Sequence, residues 1–238
     1  LEEFKEYPNV VIHNLNLSKY NILFIGPLKF SKIIKSINPD IIHSHGLLPD
    51  IFNSLLLKKI NKVSTIHCYF FDDYRLKFGN KKGWILSRLH LFFVKRIKYP
   101  VACSKSLSEL YDTKRSFKIN YIQNGIIVKE SQKTTQNAGL RNQYGNNEAS
   151  KRIMISVGSL IKRKDPLLLL NAFIESKSYE TFSLIFLCDG PLRSLMEEIA
   201  LAFKQSIFIL GNVSNVIDFL SISDVFVTTS NSEGLPNT

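Results

Sequence analysis

No apolar run in this sequence approaches the roughly 20 residues that a membrane-spanning helix needs, so a transmembrane helix is excluded. Cysteine is scarce and odd in number. Cys68, Cys103 and Cys188 each lie in or beside an apolar stretch, which suits buried thiols in a reducing compartment and excludes a disulfide framework. No Cys or His cluster has the spacing of a zinc site. The chain begins Leu-Glu-Glu-Phe-Lys-Glu, with neither an initiator Met nor a basic-then-apolar leader. It reads as an internal fragment with no export signal, and a cytoplasmic location is expected. Acidic residues are short as well: 20 Asp and Glu against 31 Lys and Arg leave a formal charge of +11. That surplus favours an anionic partner such as a phosphorylated substrate, an acidic lipid surface or nucleic acid.

What is present is ordinary globular composition, 45% apolar and 21% charged, arranged in one repeated rhythm. Short runs rich in Val, Ile and Phe alternate with longer segments of helical spacing. Strands are expected at 21–25, 40–43, 62–67, 100–103, 118–123, 152–157, 182–187, 206–210 and 224–228. Helices are expected at 49–60, 82–98, 105–114, 166–175, 191–203 and 213–221. Such alternation implies an α/β fold with parallel sheets, because parallel strands need crossover connections. The polar stretch 129–150 reads as a junction carrying one short helix. It separates an amino-terminal domain, 1–128, from a carboxyl-terminal domain, 151–238, both α/β and both incomplete.

Three loops after strands in the second domain carry candidate chemistry. Ile153-Met-Ile-Ser-Val157 leads into Gly158 and Ser159, then Lys162-Arg163-Lys164-Asp165-Pro166. Gly158 permits a tight exit, Pro166 suits a first helical turn, and backbone amides with the cations could hold a diphosphate. A solvated cationic loop is the plain alternative. In the second loop, Asp189 and Gly190 follow the run 182–187, where a cap and a turn are their commoner roles. The third, Ser230-Asn-Ser-Glu233-Gly234-Leu235-Pro236, follows the run 224–228 and places a carboxylate at a strand end, where sugar hydroxyls could be met.

Several segments together resemble the retaining glycosyltransferases of family 4, which have the GT-B architecture of two Rossmann-like domains. They are PDIIHSHG, STIHCYFFDD, VACSKSLSELY, YIQNGI, VGSLIKRKDPLLLLNAF, LIFLCDGPLRSLMEEIA and IFILGNVSNVIDFLSISDVFVTTSNSEGLPNT, in the family's order from about Asn38 onward. The resemblance implies a nucleoside diphosphate sugar as donor and no metal or other cofactor. It makes Lys164 the cation on the donor diphosphate and Glu233 the first glutamate of the family's E-x7-E motif. Gly158, Ser159, Arg163, Asp189, Gly190, Gly234, Leu235 and Pro236 complete the implied donor site. Where the family has an arginine after the loop glycine this chain has Ser159, and Arg163 is the candidate substitute. The second glutamate would fall beyond Thr238, so the fragment alone is expected to be inactive.

In the amino-terminal domain His43, His45 and His67 follow or end two strands. Structural hydrogen bonding is the commoner role of a lone histidine; the resemblance implies that His67 lies near the transferred sugar. Asp72 and Asp73 read equally well as helix caps, and Ser104 as the cap of the helix after it. Asn124 and Gly125 look like the family's interdomain hinge. The cationic, aromatic stretch 69–98 could meet an anionic membrane surface or acceptor, or be a solvated helix face. The implied activity is sugar transfer to a glycan or lipid-linked acceptor with retention of configuration, in cell-surface polysaccharide biosynthesis and peripherally at the inner membrane face. Two alternatives stand beside it: a noncatalytic remnant of the fold, and a basic nucleic-acid-binding protein. No nucleic-acid motif accompanies the charge, so nucleic acid is not the expected partner.

Overall fold

The computed structural model describes residues 7–18, 21–56, 59–125, 135–145 and 151–235. The chain forms two compact units, Leu1–His67 with Leu86–Ile122, and Cys68–Ile85 with Gln123–Thr238. Cys68–Ile85, amino-terminal in linear order, thus makes its contacts with the second unit.

The first unit is built on four parallel strands, β1 (Ile41–His45), β2 (Asn61–Ile66), β3 (Tyr99–Ala102) and β4 (Asn120–Tyr121), paired in that order. α1 (Ile22–Ile37) and α2 (Leu47–Leu55) precede and follow β1. Residues 21–25, expected as a strand, instead open α1. Four apolar residues suit either state, and here apolar positions continue at helical spacing to Phe30 and Ile34, which pack with Ile42 and Leu56. Pro27 is carried in the second turn without ending the helix. Buried between α2 and α4 (Asn80–Val94) is a polar cluster. The Asp50 carboxylate accepts from Ser44 Oγ at 2.5 Å and pairs with His90 Nε2 at 2.8 Å, while Asn53 Nδ2 donates to Ser44 at 2.9 Å. α5 (Lys105–Arg115) starts at Ser104, whose side chain accepts from the Leu107 amide at 3.2 Å, the capping role.

The second unit has four parallel strands, β5 (Arg152–Val157), β6 (Phe182–Leu187), β7 (Ile207–Gly211) and β8 (Val225–Phe226), ordered β7-β6-β5-β8. β6 is central, and its run Phe-Ser-Leu-Ile-Phe-Leu is buried on both faces, as a covered parallel strand requires. Leu184 and Phe186 face Leu170, Phe173 and Met196, from α7 (Pro166–Glu175) and α8 (Arg193–Ala200). Ile185 and Leu187 face the opposite cluster, with Ile153, Ile155, Tyr144 and Phe219. Tyr144 belongs to α6 (Thr135–Gly145), the short helix of the 129–150 stretch, and Phe219 to α9 (Val216–Ile222). Arg141 of α6 donates to Asp224 at 2.7 Å, and Asp224 accepts from the Ile153 amide at 2.6 Å, fixing the entry to β8 beside β5.

α3 (Phe70–Phe78) also belongs to this unit, as a separate helix where one cationic segment was read. Its terminator is Gly79, whose φ of 81° lies in the region glycine favours.

Candidate functional site

Strand order decides where a ligand can sit. The chain runs β5, β6, β7 in one direction across the second sheet and then returns to place β8 on the other side of β5. Loops leaving β5 and β8 therefore lie on either side of a switch in strand order, the place where open α/β sheets bind ligands.

The two loops are held to each other by their backbones. The Asn231 amide donates to the Arg163 carbonyl at 2.8 Å, and Thr229 Oγ1 donates to the Asp165 carbonyl at 2.8 Å. Asn231 Nδ2 reaches the Asp165 carboxylate at 3.1 Å. On this frame Lys164 Nζ lies 2.5 Å from Glu233 Oε1. Arg163 Nη1 donates to Glu233 Oε2 at 3.2 Å and to the Ser232 carbonyl at 2.9 Å. Burial pushes the Glu233 carboxyl up, but hydrogen bonds from Lys164 and Ser230 and the charges of Lys164 and Arg163 outweigh it. The net effect holds Glu233 below its ordinary value, so it is ionised at neutral pH. Lys164 immediately precedes Asp165, the N-cap of α7, and Pro166 occupies the first turn.

Gly158 is at the exit of β5, with the Lys164 stem beside it, and Ser159 is exposed. The loop after β6 is stitched to the loop after β5: the Leu160 amide donates to the Asp189 carbonyl at 3.0 Å, and the Leu192 amide to the Leu160 carbonyl at 3.1 Å. Gly190 permits this approach, since a Cβ there would lie 2.5 Å from the Leu160 carbonyl oxygen. The Asp189 carboxylate is engaged locally, accepting from the Gly190 amide at 2.7 Å and from Arg193 at 2.9 Å. Those two bonds, backbone first, hold it below the ordinary aspartate value. Gly234 and Leu235 continue the loop after β8; Pro236 lies outside the described residues.

The first unit contributes a separate arrangement at the ends of β1 and β2. His45 Nδ1 and His67 Nε2 are 2.8 Å apart, so one ring donates and the other accepts. His43 Nε2 meets Thr65 Oγ1 at 2.8 Å, and its ring is tilted against His45. Burial, then the neighbouring His67 charge, lowers His45; burial and His45 do the same to His43, with Asp50 opposing in both. Asn124 and Gly125 follow β4 in irregular backbone. The three cysteines are free thiols. Among the described residues no group of three or more His, Cys, Asp or Glu is placed to hold a metal ion.

Asp73 is the site residue that linear reading gave a blander role. It sits in the first turn of α3, and its carboxylate lies 3.2 Å from Arg163 Nε, so Arg163 bridges Asp73 and Glu233. Thr229 and Asn231, which set the loop that carries Glu233, were likewise not singled out.

These two parallel-strand α/β units, with cations and a carboxylate on the loops at a strand-order switch, have the GT-B fold. Residues 2–130 match the model of Glycosyltransferase Family 4, more than half of the chain, and residues 124–238 match that of Glycosyl transferases group 1. The chain belongs to this glycosyltransferase family. It is 26% identical over 222 residues to the uncharacterized glycosyltransferase MJ1059 of Methanocaldococcus jannaschii, covering 88% of this chain and 54% of that protein. It is also 26% identical over 247 residues to the capsular polysaccharide biosynthesis glycosyltransferase CapH of Staphylococcus aureus, covering 99% and 64%. The chain thus spans between about half and two thirds of these relatives' lengths. The fold is shared with sucrose-phosphate synthase of Thermosynechococcus elongatus, TM-score 0.72 at 15% identity over 98% of this chain and 64% of that one. It is shared too with Anabaena HepE solved with UDP and glucose, TM-score 0.69 at 14% identity over 87% and 58%.

Proposed function

We propose that the protein containing this chain transfers a sugar from a nucleoside diphosphate sugar to a glycan or lipid-linked acceptor, with retention of configuration. The observation that carries this reading is the convergence of Lys164, Arg163 and Glu233 on loops from β5 and β8. A sugar-nucleotide donor needs cations where negative charge gathers as its diphosphate leaves, and a polar acceptor beside the sugar. Lys164, with the first amides of α7, neutralises the departing diphosphate; Glu233 orients the sugar through its hydroxyls. Arg163 supplies the second cation that Ser159 does not, and Asp189 and Gly190 shape the wall beside them. The bond from anomeric carbon to diphosphate oxygen breaks with its electron pair on the diphosphate. The acceptor hydroxyl oxygen then bonds to the same face of that carbon and gives up its proton to the departing diphosphate oxygen. His67, hydrogen-bonded to His45, is assigned to the transferred sugar, and Asn124 and Gly125 to the hinge. Charge neutralisation rests on side chains, so this chemistry asks for no metal.

Synthesis of a cell-surface polysaccharide fits the likeness to CapH. Action at the inner face of the membrane fits α4, where Trp84, Ile85 and Phe92 are exposed beside Lys81, Lys82 and Arg88. Among the described residues no helix is long and apolar enough to cross a membrane. The test is turnover of a nucleotide-sugar panel by the full-length protein, with the product's anomeric proton coupling read by NMR. Retention with loss of transfer in Lys164→Ala supports the reading; inversion removes the retaining assignment, and no turnover of any donor removes the activity.

A further inference from the structure

The buried polar cluster of the first unit has no part in the transfer chemistry given above. Ser44, Asp50, Asn53 and His90 are each 5% exposed or less, in a layer where apolar residues ordinarily pack. Both Asp50 oxygens are engaged, one by Ser44 Oγ and the other by His90 Nε2. Asn53 Nδ2 donates to Ser44 Oγ at 2.9 Å and to the Val63 carbonyl at 3.2 Å. The cluster thereby ties β1 to α2, α4 and β2. Asn53 Oδ1 is buried without a hydrogen-bond partner among the described residues, and so is Oγ of Ser64, the register partner of Ser44. A buried carboxylate beside unpaired polar groups adds little stability that apolar residues of similar volume would not supply. Stability alone does not account for it.

What lies on the other face of β1 supplies the reason. Side chains alternate along a strand, so Ser44 points into the cluster while His43 and His45, both exposed, point away from it. His45 Nδ1 and His67 Nε2 meet at 2.8 Å with their rings stacked 5.1 Å apart, and His43 Nε2 meets Thr65 Oγ1 at 2.8 Å. Each bond joins β1 to β2 or the residue after it, so each depends on the register that the cluster holds from behind. The Asp50 charge reaches the same rings: it raises both His43 and His45, opposing burial and the neighbouring ring, which is His45 for His43 and His67 for His45. Behind His67, Cys103 from the end of β3 donates to its carbonyl and not to its ring. We infer that Asp50 is a positioning residue for the His45–His67 pair, holding the end of β1 through Ser44 and the helix behind it through His90 so that the two rings stay in hydrogen-bonding register. The consequence for transfer rests on the proposed reaction, in which His67 is assigned to the sugar; the coupling of Asp50 to the pair does not depend on it.

The test compares two variants of the full-length protein. Asp50→Asn keeps the side-chain shape and removes the charge, whereas Ser44→Ala removes one hydroxyl and leaves Asp50 with His90. Imidazole NMR follows the rings of His45 and His67 through a pH titration, and steady-state transfer is measured beside it. In Asp50→Asn the His45 midpoint should move to lower pH, because a negative charge that favours the protonated ring is gone. In Ser44→Ala the charge remains, and the ring proton between His45 and His67 should exchange with water about tenfold faster or more as the register loosens. Both variants should lower kcat by about tenfold or more and leave the donor KM within about twofold, since a misplaced group costs rate and not donor binding. Histidine resonances and proton exchange that stay unmoved in both variants, whatever their melting temperatures, would make the cluster merely structural and overturn the inference. A raised donor KM at unchanged kcat would overturn it too. If Asp50→Asn does not fold, Ser44→Ala decides by the same readings. If His67→Ala transfers normally, the sugar-side role of His67 falls, while the histidine resonances still decide whether Asp50 positions the pair.

Discussion

Replacing Lys164 with Ala separates a chemical role from a structural one. The ammonium lies 2.5 Å from Glu233, and the two side chains are 21% and 24% exposed. A pair of that exposure falls between a surface ion pair and a charged hydrogen bond, so its loss costs about 1–2 kcal/mol of stability. A domain with about 5–15 kcal/mol in hand remains folded. The effect on transfer should be far larger, because removing one preorganised charge stabiliser of a leaving group costs about 10²–10³ in kcat. Glu233 reports the same change independently. Its carboxyl is held low when folded, so the stability it contributes is present above the ordinary glutamate value and is lost as pH falls through the folded value. Without Lys164, burial opposes fewer favourable contacts and the Glu233 pKa should rise, shrinking that acid-side loss. The assays are steady-state transfer by the full-length protein, thermal denaturation between pH 3 and 7 and carboxyl-carbon NMR of Glu233. Near-normal kcat together with an unmoved Glu233 titration would refute the assigned role of the pair.

Gly190→Ala should lower the melting temperature by an amount worth about 1–3 kcal/mol and weaken donor binding, since its Cβ would meet the Leu160 backbone at 2.5 Å with no flexible side chain to give way. Calorimetry and donor titration read the two effects. Asp50→Ala removes the carboxylate that accepts from Ser44 and pairs with His90 in the first unit and should cost about 3 kcal/mol or more in chemical denaturation, without changing UDP affinity. His43 and His45 are held below their usual value, so the folded state binds their protons less readily than the unfolded chain. Stability should fall as pH drops below about 6.5 and recover above it, and His45→Phe should flatten that slope.

How much of this was readable in the sequence depended on whether a feature was local. β5, β6 and α7 have the bounds expected of them because apolar runs end in strong punctuation, with Gly158 after one strand, Asp189-Gly190 just beyond another and Pro166 opening the helix. α1 was misjudged at 21–25 because four apolar residues carry no period, and only its packing with Ile42 and Leu56 settles the state. α3 has a readable signal in Phe70, Phe71 and Tyr74, all buried at helical spacing ahead of Gly79, and it was obscured by the surrounding cations. The pairing of Asp73 with Arg163 and of Asp50 with His90 joins residues remote in sequence, and no spacing rule announces either. Glu233 and Lys164 lie far apart too. Their meeting follows from two strand-end loops falling on either side of one switch in strand order.

The most direct test of that meeting is calorimetric titration of the full-length protein and its Lys164→Ala variant with a panel of nucleotide sugars. At least one should bind one-to-one with a Kd of roughly 1 μM to 1 mM, the range in which enzymes meet their substrates, and lose at least tenfold affinity in the variant. Binding that is unchanged in Lys164→Ala, or absent for every nucleotide sugar tried, would contradict the donor site described for the loops after β5 and β8.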